Sequence, residues 1–244
     1  MMLAALDLGI AGRLAGITAS LRPGEVTAIC GPNGAGKSSL LTCLAGLLAP
    51  EAGSVTLAGA PLLGLDPRQR ARAIGYLPQT PEIAWDVSVE VLVSLGRLPW
   101  PDPGNAAIDG ALAAMDLAHL RGRAVSRLSG GERARALMAR VLAGEPQWLL
   151  ADEPLANLDL AHSAALVRAL REQAAQGRGV VLVLHDLAQA MNHADRVLVL
   201  DQGRLVADGP PAAALSSEAI SATWGVEARW LGEPGGMALA LTGS

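Results

Sequence analysis

The stretch Gly31-Pro32-Asn33-Gly34-Ala35-Gly36-Lys37-Ser38-Ser39 constrains this chain more than any other. It follows the apolar run Val26 to Cys30 and precedes a helical pattern with Leu40, Leu41, Leu44, Leu47 and Leu48 on one side. Strand, glycine-rich loop, Lys-Ser and helix, in that order, are the context of a phosphate-binding loop. The glycines let backbone N–H groups converge on phosphate oxygens, and the helix N-terminus that follows adds positive potential. In such a loop Lys37 reaches the β- and γ-phosphates and the Ser38 hydroxyl ligates Mg²⁺. Lys37 is also the only lysine in the sequence, where arginine is used everywhere else. It is kept where a compact ammonium must enter a phosphate cradle that a planar guanidinium would not fit.

At 244 residues the chain can bury a full core in one α/β domain, with room for an inserted subdomain. No apolar run approaches the ~18 residues of a membrane span, and the N-terminus lacks the layout of a signal peptide. These features predict a soluble, cytosolic protein. A net charge of −4 without basic runs argues against nucleic acid as a main partner. Cys30 and Cys43 fit neither a disulfide framework nor a metal spacing, and are expected as small core residues.

Met1 to Leu21 reads as short strands with turns at Gly9, Gly12 and Gly16, followed by a Pro23-Gly24 turn. Ser54 to Leu57 is a candidate strand of the same small sheet, Asp66 to Arg72 a short helix, and Ala73 to Leu77 a strand entering Pro78-Gln79. From Thr80 to Ala143 the pattern turns helical: Val87 to Leu95 with Ser88 as N-cap, Ala106 to Leu117, and Glu132 to Ala143. Strand and helix alternate again afterwards: Trp148 to Ala151, Leu160 to Gln176, Val180 to Leu184, Leu187 to Asn192, then strands at Arg196 to Leu200 and Arg204 to Ala207. A short helix and a hairpin, Glu227 to Leu231 and Met237 to Leu241, close the chain. The expected division is a core at about 1–79 and 144–210, a helical insertion at about 80–143, and a helix and hairpin at about 211–244.

Two further motifs carry chemistry. Leu149 to Glu153 ends an apolar strand in two carboxylates, and ligands of open parallel sheets sit just beyond such strand ends. Asp152 is placed to hold Mg²⁺, and Glu153 to polarise the water that attacks the γ-phosphate. Leu128-Ser129-Gly130-Gly131-Glu132 opens an Arg-rich amphipathic helix, and its hydroxyl, glycines and free N–H groups form a second anion site. A second anion site beside a single phosphate loop suggests ATP shared between two subunits.

Gly31 to Ser39, Tyr76-Leu77-Pro78-Gln79, Leu128 to Glu132, Leu149 to Pro154, Leu155 to Asp159 and His185 fall in the order of the Walker A, Q-loop, signature, Walker B, D-loop and H-loop motifs. The chain thus resembles the ATP-binding subunit of a bacterial ABC transporter over nearly its whole length. The resemblance implies a P-loop ABC-type ATPase: a mostly parallel core sheet, an N-terminal antiparallel β subdomain and an inserted helical subdomain. It implies that Gln79 touches Mg²⁺ or the lytic water, that His185 contacts the γ-phosphate, and that Asp159 lies at the subunit boundary, a role compatible with its being an N-cap. His119, His162 and His193 read as surface residues. The family's usual N-terminal aromatic is absent from Met1 to Leu21, which leaves Arg13 as the candidate to stack on adenine.

The helical block around Val87 to Glu90 and Leu95 to Trp100, and the ending Trp224-Gly225-Val226-Glu227, are similar to importers of iron-siderophore, haem and vitamin B12. That similarity implies an ATP- and Mg²⁺-dependent homodimer, peripheral on the cytoplasmic face of the inner membrane. Its partners would be integral membrane permease subunits and, indirectly, a substrate-binding protein. A soluble ABC-type ATPase acting on nucleic acid or ribosomes, or the ATPase of an exporter, are the alternatives. Trp85 and Trp100 either anchor a permease helix, in a groove floored near Ala84, or fill the helical block's own core.

Overall fold

The computed structural model describes residues 1–81, 83 and 86–242. Ala84 and Trp85, read as part of a docking floor, lie outside the described residues.

The N-terminal segment forms two long antiparallel strands, β1 (Leu3–Ile10) and β2 (Leu14–Leu21). Of the three glycine turns expected there, only Gly12 lies in the connection, while Gly9 and Gly16 fall within the strands where the register shifts. A β-bulge absorbs an extra residue without ending the strand, and glycine spacing alone does not distinguish it from a turn. β3 (Val26–Cys30) leads through the phosphate loop into α1 (Lys37–Leu44). The helix stops before Gly46, which adopts φ 67°, so Leu47 falls outside the expected apolar face and is 62% exposed. β4 (Ala52–Leu57) and the short β5 (Ala60–Pro61) complete a four-stranded sheet in the order β2-β1-β4-β5.

α2 (Pro67–Ala73) starts at Asp66, whose carboxylate accepts from the N–H groups of Arg68 and Gln69, and it feeds β6 (Ile74–Leu77). The helical stretch follows as α3 (Val89–Ser94), capped by Ser88, α4 (Asn105–Ala114) and α5 (Gly130–Ala143). β7 (Trp148–Asp152), α6 (Leu160–Ala175), β8 (Gly179–Val183), α7 (Leu187–His193) and β9 (Arg196–Asp201) restore the alternation. β10 (Arg204–Gly209), α8 (Pro211–Ala214), α9 (Ser217–Trp224) and the hairpin of β11 (Ala228–Leu231) and β12 (Ala238–Leu241) end the chain.

The central sheet has the order β10-β9-β3-β8-β7-β6, parallel except for β10. β3, β7 and β8 are buried along their whole length because the sheet is covered on both faces. Their side chains divide by alternation. Ala28, Leu149, Leu182 and Val197 join the helical core, whereas Ile29, Leu150, Val181 and Leu198 pack with α1 and the antiparallel sheet. Cys30 and Cys43 are buried, and desolvation pushes their thiols up to about 12 and about 11, so both stay protonated core residues.

Trp100 packs into the chain itself. The guanidiniums of Arg72 and Arg97 both lie over its ring, 4.7 and 4.8 Å from the ring centre, and its Nε1 donates to Gly144 O at 2.9 Å. Arg97 is itself buried and ion-paired to Asp102 and Glu145. This seam ties the loop after α3 to α2 and to the C-terminal end of α5.

Candidate functional site

The strand order places β3, β8 and β7 side by side, so their C-terminal ends converge on one edge of the sheet. The phosphate loop leaves β3, Glu153 follows β7, and His185 lies two residues beyond β8. Together they border a cleft of about 720 Å³, lined by residues 33–39, Arg13, Gln79, Glu153 and His185. Gln79 reaches it because β6 is the next strand out from β7.

Two glycines shape the loop for distinct reasons. A Cβ on Gly31 would stand 2.1 Å from Leu200 O, so the backbones of β3 and β9 come too close for any side chain. Gly36 has φ 96°, and a Cβ there would lie 2.5 Å from Arg13 O. As the N-cap of α1, Gly36 offers no side-chain hydrogen bond, so the first N–H groups of α1 face the cleft uncapped. Lys37 is buried, and its Nζ donates to Gly31 O and Pro32 O, each at 2.8 Å. Desolvation lowers its pKa, opposed first by the negative charge of Glu153.

Asp152 does not line the cleft but sits beneath it, buried at the end of β7. Desolvation raises its pKa, a hydrogen bond to Ser38 opposes the rise, and its Oδ1 is buried without a partner. A buried carboxylate oxygen left unpaired beside a serine hydroxyl fits Mg²⁺, which takes one or two protein oxygens and completes its shell with phosphate and water. Among the described residues there is no cluster of three or more His, Cys, Asp or Glu side chains placed to hold a metal.

Glu153 adopts φ 50°, a left-handed conformation uncommon for a side-chain-bearing residue. The turn throws its carboxylate into the cleft, where Oε1 is 2.5 Å from His185 Nε2. Facing a carboxylate, Nε2 carries the proton.

Ser129, Gly130, Gly131 and Asp159 stand outside this cleft. Ser129 caps α5: its Oγ accepts from Glu132 N at 3.2 Å, and Glu132 Oε2 accepts from Ser129 N at 2.8 Å. Asp159 caps α6, accepting the N–H of His162. The sequence reading missed His162 by leaving it on the surface, whereas its side chain is 28% exposed and meets both Asp159 and Gly131. The available signal was the Asp-x-x-His spacing at a helix start. Arg13, put forward for adenine, does line the cleft.

Known proteins resemble this chain over most of its length. Residues 14–156 match the family described as ABC transporter. The hemin import ATP-binding protein HmuV of Nocardia farcinica is 48% identical over 203 residues, covering 81% of this chain and 70% of that protein. The protein of the same name from Bordetella avium is 38% identical over 241 residues, covering 94% and 92%. Among solved structures, a metal-chelate type ABC transporter in an inward-facing conformation superposes with TM-score 0.82 at 26% identity, over 98% of this chain and 96% of that one. The cbiO1 protein of Clostridium perfringens, part of the ABC transporter complex cbiONQ, gives TM-score 0.80 at 28% identity, over 89% and 92%.

Proposed function

This chain belongs to the ABC transporter family, in which the ATP-binding subunit hydrolyses ATP to power transport, and we propose that it energises import of haem or a similar metal chelate. Relatives named for hemin import, and a structural neighbour that is a metal-chelate transporter, support that cargo. The subunit acts as a homodimer beneath permease subunits, at the cytoplasmic face of the membrane, with a substrate-binding protein delivering the cargo. Among the described residues no helix is long and apolar enough to cross a membrane, and in this reading the permease subunits supply the channel.

The observation that carries the enzymatic reading is the meeting of the uncapped α1 terminus, Lys37, the unpartnered Oδ1 of Asp152 and the Glu153–His185 pair at one sheet edge. Backbone N–H groups of residues 33–39 and the Lys37 ammonium cradle the phosphates, with Lys37 exchanging its loop carbonyls for phosphate oxygens. Ser38, Asp152 and Gln79 would hold Mg²⁺, which when bound neutralises phosphate charge. Glu153 takes the proton of the attacking water, and His185 donates from Nε2 to the γ-phosphate. Ser129, Gly130 and Gly131 address the ATP held by the partner chain, with Asp159 at the boundary. Arg13, which lines the cleft, is the residue this reading assigns to the base.

Replacing Glu153 with Gln keeps size and hydrogen bonding but removes the base. Hydrolysis is expected to fall about 10²-fold or more while ATP still binds and traps a stable dimer. Wild-type turnover in Glu153→Gln would remove Glu153 from the role.

A further inference from the structure

His162 is 31 residues from Gly131 in sequence, yet its ring joins the start of α6 to the start of α5. Asp159 Oδ1 accepts from the His162 backbone N–H and lies against ring Nδ1, each at 2.8 Å. An ionised carboxylate only accepts, so Nδ1 carries a proton and the ring is fixed in rotation. Its opposite edge lies on α5: a Cβ built on Gly131 would stand 2.3 Å from ring Cγ and Cδ2 and 2.8 Å from Nε2. Gly131 has no positive φ to justify it, and glycine inside a helix is less favourable than alanine. Its reason is spatial: the imidazole occupies the room that a side chain would need.

We propose that His162 is a positioning residue for ATP hydrolysis, locking the Asp159 turn to the glycine end of α5 so that both meet nucleotide as one body. This rests on the reading that this end of α5 engages ATP. The capping box takes up the N–H groups of Ser129 and Glu132, not those of Gly130 and Gly131. Those two groups point wherever the helix start is aimed, and the ring sets that aim.

The test uses the full chain carrying His162→Ala, Gly131→Ala, or both. His162→Ala should lower kcat about 10-fold, as a small misplacement of a positioning group does, with KM and the melting temperature nearly unchanged. His162→Asn, whose amide can replace Nδ1 toward Asp159, should recover part of that loss. Gly131→Ala alone should lose most turnover because its methyl meets the ring. Removing the ring in the double variant should bring activity back towards that of His162→Ala.

Wild-type kcat in His162→Ala, full activity in Gly131→Ala, or a double variant as inactive as Gly131→Ala would each overturn the proposal. The last result would mean that nucleotide, not the ring, excludes a side chain at 131. The reading beneath it fails separately, if a Glu153→Gln chain with native His162 forms no ATP-bound dimer. The compensation between positions 131 and 162 is measured in the Glu153 chain in either case.

Discussion

Two helix N-termini in this chain pair glycines with a serine, and they differ in what is left for an incoming anion. α1 begins at Gly36 with no side-chain cap and no acidic residue in its first turn. α5 begins with a complete capping box and carries Glu132 in its first turn. The first end has unsatisfied donors and a buried ammonium beside it, so phosphate removes a deficit already present in the fold. The second has settled half of its donors internally, and the Glu132 carboxylate offsets part of the helix dipole. In the proposed reading, the α1 end therefore holds ATP by itself, whereas the α5 end adds to binding only when a second chain delivers it. One end provides affinity and the other makes turnover conditional on assembly.

The largest effect that would break this comparison comes from removing each end in turn. Lys37→Ala should abolish both ATP binding and hydrolysis. Ser129→Arg should keep ATP binding to the single chain but lose turnover about 10²-fold or more, as expected when a group acting only in the transition state is blocked. Mixing the two variants should restore some activity, because one composite site per heterodimer stays intact. Equal loss of ATP affinity in both variants, measured with a fluorescent nucleotide, would erase the distinction.

A smaller effect sharpens the α1 side. The carboxyl of Asp152 is raised by desolvation, so over the window from the ordinary carboxylate range up to its raised value the fold binds more protons than the unfolded chain. Stability of the ligand-free protein therefore falls as pH rises through that window, and the penalty persists at neutral pH. Asp152→Asn should raise the ligand-free melting temperature by about 2–4 °C, the shift expected for about 1 kcal/mol in a chain of this size. The extra stabilisation that Mg²⁺ adds to ATP should disappear with it. A ligand-free Asp152→Asn chain that melts lower than wild type would show that the carboxylate is satisfied without metal.

The difference between the two ends also explains what was legible in the sequence. The phosphate loop, its strand and its helix are consecutive, so local chemistry declares them: Gly36, Lys37 and Ser38 need no distant partner to be recognised. The Asp152-Glu153 ending is equally local, and its approach to His185 follows once β8 is placed between β3 and β7. Gly9 and Gly16 looked like turns because bulges are set by cross-strand register, which a single strand's sequence does not contain. The Gly131–His162 contact and the seating of Trp100 against Arg72 and Arg97 depend on how separate elements meet. Residues justified by such contacts look like ordinary surface or helix positions until the chain is folded.

The smallest effect concerns the capping box itself. The Glu132 carboxyl is held below the usual range, first by the backbone N–H of Ser129, then by the Ser129 hydroxyl and the charges of Arg123 and Arg135. A depressed carboxylate contributes stability that is present above the ordinary carboxylate range and is lost as pH falls through the lowered value. Glu132→Ala should therefore cost about 0.5–1 kcal/mol at neutral pH, in the range of helix-cap losses, and the gap to wild type should close in acid. Glu132→Gln keeps a hydrogen bond to Ser129 N while removing the charge, so at neutral pH it should melt below wild type, though by no more than Glu132→Ala does. It should also weaken the local opposition to an anion at the α5 end, leaving kcat equal to or above wild type. A gap between Glu132→Ala and wild type that stays constant into acid would show that the ionised carboxylate is not what holds the cap. A lower kcat in Glu132→Gln would show that the charge aids the α5 end instead of restraining it.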